Sequence, residues 1–164
     1  MDPVCVNVQG IDFTTLRRYA LIHIEVEAAR ALGSASSLST YSPEFRKMLD
    51  YGRNASPNLI VAAENAMIET GGIIRGILAD LDVLILPSTP QFAFDFNVAS
   101  PQNQGDLTGL ANMAGCPAVV IPTGLNLDGL PTSLHLMASP GRDSDLLRIA
   151  RTIAEAWQPI FPAI

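Results

Sequence analysis

Lysine is almost missing from this chain: Lys47 is the only one in 164 residues. Lys and Arg together number 10 against 16 acidic residues, for a formal net charge of -6. A surface that grips a phosphate backbone needs clustered cations, so direct contact with nucleic acid is not expected. Arg17 with Arg18, and Arg148 with Arg151, read as solvated helix faces. Cysteine is scarce as well. Cys5 and Cys116 are too few and too far apart for a disulfide framework or a metal site. They are expected to be buried free thiols in a reducing compartment. No His, Cys and carboxylate cluster has metal-ligand spacing, so no metal is expected, and nothing calls for a cofactor. No apolar run approaches the roughly 20 residues that span a bilayer. The start, Met1-Asp2-Pro3-Val4, lacks the basic segment and apolar run of a secretory signal. A cytoplasmic protein with no membrane partner is the expectation.

What is abundant is apolar surface. Apolar residues make up 48% of the chain and charged ones 16%. That balance gives a folded protein with a substantial core, in keeping with a single domain over residues 1–164. It is greasy for a free-standing small domain, as a section of a larger core would be.

Residues 14–32 read as a helix in which Leu16, Tyr19, Ala20, His23 and Val26 or Glu27 follow a 3.6 period, with Gly33 as terminator. Gly33 to Thr40 reads as a loop. Ser42-Pro43-Glu44 is a helix start: Ser accepts free N–H groups, Pro takes the first turn, and Glu meets the positive end. That helix is expected to reach Asp50. Ser56-Pro57 repeats the device and opens a long helix to Ala79, with Leu59, Ala62, Ala63, Ala66, Ile73 and Ile77 as its buried stripe. Gly71-Gly72 within it marks a kink or close helix packing.

Asp82 to Leu86 is an apolar β-run closed by Pro87, and fits a central strand covered on both faces. Residues 91–105 read as a loop, and Leu107 to Ala114 as a short helix ended by Gly115. Ala118–Ile121 and Leu134–Met137 are further strands, hairpin-paired across Asn126-Leu127-Asp128-Gly129. Asp143 is expected to cap a last helix with the stripe Leu146, Ile149, Ala150, Ile153, Ala154, Trp157. The sum is an α/β fold, a mixed β-sheet flanked by helices. So narrow a sheet, with long helices needing something to cover, looks like a section of a wider one.

Three segments carry a family resemblance. They are Leu81-Asp82-Val83-Leu84-Ile85-Leu86-Pro87-Ser88-Thr89-Pro90, then Asn112 to Gly124 with its Gly115-Cys116-Pro117-Ala118, then Gly129-Leu130-Pro131 and the following strand. In this order and spacing, followed by an amphipathic helix, they resemble the C-terminal half of amidase signature enzymes. Those serine amidases include the A subunit of tRNA-dependent amidotransferases. The resemblance runs from about residue 10 to residue 158. Ser88 stands where the family often has Thr, and His135 where it usually has Gln.

The resemblance implies hydrolysis of a small-molecule amide by a nucleophilic serine, with a second serine on a cis peptide and a lysine relaying the proton. It also implies an oxyanion site in a Gly-Ser-rich loop. Neither the triad nor that loop is found here, so no catalytic residue is assigned. Gly33-Ser34-Ala35-Ser36-Ser37 lacks the family's paired glycines and is out of order. Lys47 follows the serines instead of preceding them, on a helical face expected to be exposed, which would not lower its pKa. A Ser-His-Asp reading of His135 with Asp128 or Asp143 lacks a Gly-x-Ser-x-Gly elbow. His135 and His23 also read as satisfied packing residues.

The resemblance places the loop Gln91-Phe92-Ala93-Phe94-Asp95-Phe96 against the acyl pocket. Phe92 and Phe94 are therefore substrate-binding candidates, together with His135. The same aromatics could instead pack one face into the core. The expected function is a silent C-terminal section of an amidase. The alternatives are a non-catalytic scaffold or binding module descended from one, or part of an amidotransferase A subunit. Bared strand edges make self-association the expected partner behaviour.

Overall fold

The computed structural model describes residues 4–6, 8, 10–32 and 40–157. The element order is α1 (Phe13–Leu32), α2 (Pro43–Asn54), α3 (Pro57–Leu78), β1 (Leu84–Pro87), α4 (Gly109–Ala114), β2 (Ala118–Leu125), β3 (Pro131–Met137) and α5 (Asp143–Trp157). The chain divides into two compact units, one of residues 8–69 and one of residues 70–157 with residues 4–6. The expected Gly33 terminator and the Ser34–Ser37 loop lie outside the described residues.

The first unit is helical. The Asp12 carboxylate accepts from Thr14 N at 3.0 Å and Thr15 N at 3.2 Å, capping α1. Leu16, Ile22, Val26 and Ala29 are buried on α1, and Tyr19 packs against the same cluster. Leu16, Tyr19 and Val26 of the expected stripe thus face inward, while Ile22 and Ala29 take the places expected of Ala20, His23 and the alternative Glu27. Ser42 caps α2 by accepting from Phe45 N at 3.2 Å, with Pro43 in the first turn. The helix runs past Asp50 to Asn54, through Gly52. There the glycine lets the Glu25 backbone of α1 come against it, where any Cβ would overlap the Glu25 carbonyl. Ser56 opens α3 by accepting from Leu59 N at 3.3 Å.

In the second unit α3 buries Thr70, Gly71, Ile74 and Leu78, so its inner face is turned from the expected Ile73 and Ile77, which are half-buried. Gly71 and Gly72 make no break in the helix. A Cβ on Gly71 would overlap the Met113 carbonyl of α4, so this glycine serves close packing. The α/β class is as expected. The three strands are ordered β1-β3-β2, and both pairings are antiparallel, so the parallel pairing of a mixed sheet does not occur among them. The expected central strand is an edge: among the described residues β1 pairs only with β3, and Ile85 is 42% exposed. Its apolar run signals burial against a neighbour but does not say on how many sides.

β2 and β3 form the expected hairpin. The Asn126 side chain accepts from Asp128 N at 3.0 Å and Leu130 N at 2.8 Å, while Gly129 takes φ 77°. β2 is longer than expected, because a bulge between Pro122 and Gly124 (φ 113°) lets pairing resume beyond the proline. One sheet face, with Leu134, Leu136, Val119 and Ile121, packs on Leu146 and Ala150 of α5. Leu146 N bonds to Arg142 O, so Arg142 holds the cap position and Asp143 is the first helical residue. The α5 stripe ends at Ala154, since Trp157 is exposed.

Candidate functional site

The candidate residues fall into the second unit, around the end of β1. His135 lies at the centre of β3, opposite Leu86 on one side and Val120 on the other. It points away from the α5 face, because Leu134 and Leu136 point toward it. It is 2% exposed, and burial pushes its imidazole below the usual histidine range. Its Nδ1 has no hydrogen-bond partner. It is therefore not the satisfied packing histidine of the sequence reading. Nor does a carboxylate orient it: Asp128 and Asp143 are both exposed, and the Ser-His-Asp arrangement is not formed.

Ser88 follows β1 directly. Its N–H donates to Ser133 O at 3.2 Å, extending the ladder by one residue. Its hydroxyl is buried and without a partner. Thr89 then turns the chain, its hydroxyl donating to Gln91 O at 2.7 Å. The aromatic loop follows. Phe92 and Phe94 are exposed and Phe96 is 98% exposed, so packing of this loop into the chain's own core does not occur. The structure thus brings Ser88 and His135 to one sheet face and starts the Phe92–Phe96 loop beside them. Sequence reasoning noted Ser88 only as a motif variant, because its relation to His135 rests on strand register.

The remaining candidates lie on other elements. Lys47 is on an exposed face of α2, and His23 is half-buried on α1. Cys5 is exposed, contrary to the buried thiol expected, since residues 4–6 form no regular element that would cover it. Cys116 is half-buried, and burial raises its thiol pKa, partly offset by the Arg75 charge. Arg75 itself donates to the Ala114 carbonyl at 3.0 Å, holding the end of α4. Among the described residues, no group of three or more His, Cys, Asp or Glu side chains could hold a metal ion. No helix among them is long and apolar enough to cross a membrane.

Residues 8–147 match the family model of the amidases, and the chain belongs to that family. The matching relatives include the A subunit of glutamyl-tRNA(Gln) amidotransferase from Rhizobium leguminosarum bv. trifolii. It is 35% identical over 92 residues, covering 52% of this chain and 19% of the relative. The same subunit from a Jannaschia species is 35% identical over 83 residues, or 48% of this chain and 17% of the relative. Among solved structures, an amidase superposes with a TM-score of 0.76 at 19% identity, over 88% of this chain and 36% of that one. A bacterial aryl acylamidase of the amidase signature family gives 0.73 at 18% identity, over 93% and 36%. The shared fold is thus that of amidase signature enzymes, and this chain spans about a third of their length.

Proposed function

We propose that residues 1–164 are one C-terminal section of a larger amidase domain. In this reading the whole protein hydrolyses a small-molecule amide to a carboxylate and ammonia, and this section alone is catalytically silent. The observation that carries it is a family match over residues 8–147 in a sequence whose only lysine, Lys47, sits exposed on α2. A lysine that relays protons must be desolvated to lower its pKa. The section's part in the site is the wall formed by Phe92 and Phe94, which are 57% and 41% exposed in this chain. His135 is too buried to touch substrate, and contributes by holding the strand from which that loop departs. The protein works in the cytoplasm and needs neither cofactor nor metal.

The test is ammonia release from a panel of aliphatic and aromatic primary amides. The chain alone is expected to give no turnover above background. Joined behind a family section that carries the serines and lysine, it is expected to support turnover. Activity in the chain alone that vanishes in Ser36→Ala or Lys47→Ala would overturn the reading.

The identities to amidotransferase A subunits favour a second placement, as part of such a subunit. The partner would then be a protein complex holding charged tRNA. With a net charge of -6, this section would make no direct tRNA contact.

A further inference from the structure

Ser88 Oγ and His135 Nδ1 are buried without any protein partner, in residues 8% and 2% exposed. Register places them together. Leu86 lies opposite His135, Pro87 opposite Leu134, and Ser88 N bonds to Ser133 O. Alternation then puts Ser88, Ser133 and His135 on one face, with Ser88 and His135 as diagonal neighbours on adjacent strands. On that face Leu86, Met137 and Val120 offer no good donor or acceptor, while Ser133, opposite Ser88, carries a further hydroxyl.

Two unpaired polar atoms on diagonal neighbours of adjacent strands have a common solution. A hydroxyl both donates and accepts, and a neutral imidazole carries one donor and one acceptor nitrogen. Burial without a charged neighbour keeps this imidazole neutral. A water molecule, which donates and accepts, satisfies both atoms in either tautomer and is small enough for a place closed to solvent. We propose that one internal water molecule is held between Ser88 Oγ and His135 Nδ1, tying β1 to β3 where β1 leaves the sheet. It fixes the exit of the strand, and with it the root of the Phe92–Phe96 loop. The water site holds whether or not the family's chemistry is retained.

A high-resolution crystal structure of the full chain tests this directly. One ordered water within hydrogen-bond distance of both atoms is expected. Direct contact between the two side chains, or apolar packing with no solvent density between them, overturns it. A double-mutant cycle tests it in solution, with Ser88→Ala and His135→Leu made singly and together in the full chain. Each single change is expected to raise the unfolding equilibrium constant. The double variant should fall short of the product of the two effects by about tenfold, because both lose the same bridge. Effects that simply multiply overturn the proposal. Should His135→Leu not fold, His135→Gln keeps a donor and an acceptor and is expected to retain the water in its crystal structure.

Discussion

Proton binding at His135 is the clearest consequence at the scale of single residues. Burial lowers its folded pKa, while the unfolded chain keeps a value near the ordinary 6.5 of histidine. Above that value both states are neutral and nothing is lost. As pH falls through it, the unfolded chain binds a proton that the folded chain resists, so stability falls with pH. Asp145 and Asp12 also have lowered values, the first from its hydrogen bonds to Arg148 and Arg142, the second from those of Thr15. Their contributions are lost only as pH falls below the ordinary 3.8 of aspartate. Glu25 runs the other way: burial raises it from 4.5, so its ionised form opposes folding above that pH. The window below pH 6.5 therefore carries the histidine's titration, and comparison with His135→Gln separates it from that of Glu25. The urea midpoint is expected to drop as pH is lowered across this window, and the drop to shrink in His135→Gln. Parallel drops in the two proteins would assign the titration elsewhere. A histidine on a strand was visible in the sequence; its lack of a partner was not, since that depends on side chains from other strands.

At the scale of elements, the contact of α1 with α2 is decided by one glycine. Gly52 lies inside a helix, where alanine is intrinsically better by about 1 kcal/mol. Propensity alone says that Gly52→Ala stabilises. The structure says the opposite, because a Cβ there would overlap the Glu25 carbonyl and lie 2.8 Å from Val26 N, backbone atoms that cannot swing aside. A loss of about 1–3 kcal/mol is expected, read from urea unfolding. Gly76→Ala is the control. Nothing lies within 4 Å of its Cβ, and a gain of up to about 1 kcal/mol is expected. If both changes stabilise, the close approach of the two helices is wrong. The starts of α2 and α3 were legible because Ser42 and Ser56 act on their own next turn. The end of α2 was not, because Gly52 looks like a helix breaker until its packing partner is known.

For the whole molecule, the open edges of the sheet matter most. Among the described residues β1 and β2 each pair on one side only, and Ile85, Val120, Phe92 and Phe96 are exposed. Unpaired strands with apolar side chains invite pairing with another chain. Sedimentation of the full chain is expected to show association that grows with concentration. Lys substitution at Ile85 and Val120, which puts charge on both edges, is expected to reduce it. A strictly monomeric wild-type chain across micromolar to millimolar concentrations would support the stand-alone scaffold reading instead.

The sequence by itself determined the helices, the β2–β3 hairpin and the family. Caps, turn residues such as Asn126 and Gly129, and motifs like Gly115-Cys116-Pro117-Ala118 act over a few neighbouring residues. Tertiary structure alone decided that β1 is an edge, that Gly52 and Gly71 are contact points, that the Phe92–Phe96 loop stands exposed, and that Ser88 shares a face with His135. Each of these depends on which distant strand or helix is adjacent, and a one-residue slip in register would send His135 to the opposite face of the sheet.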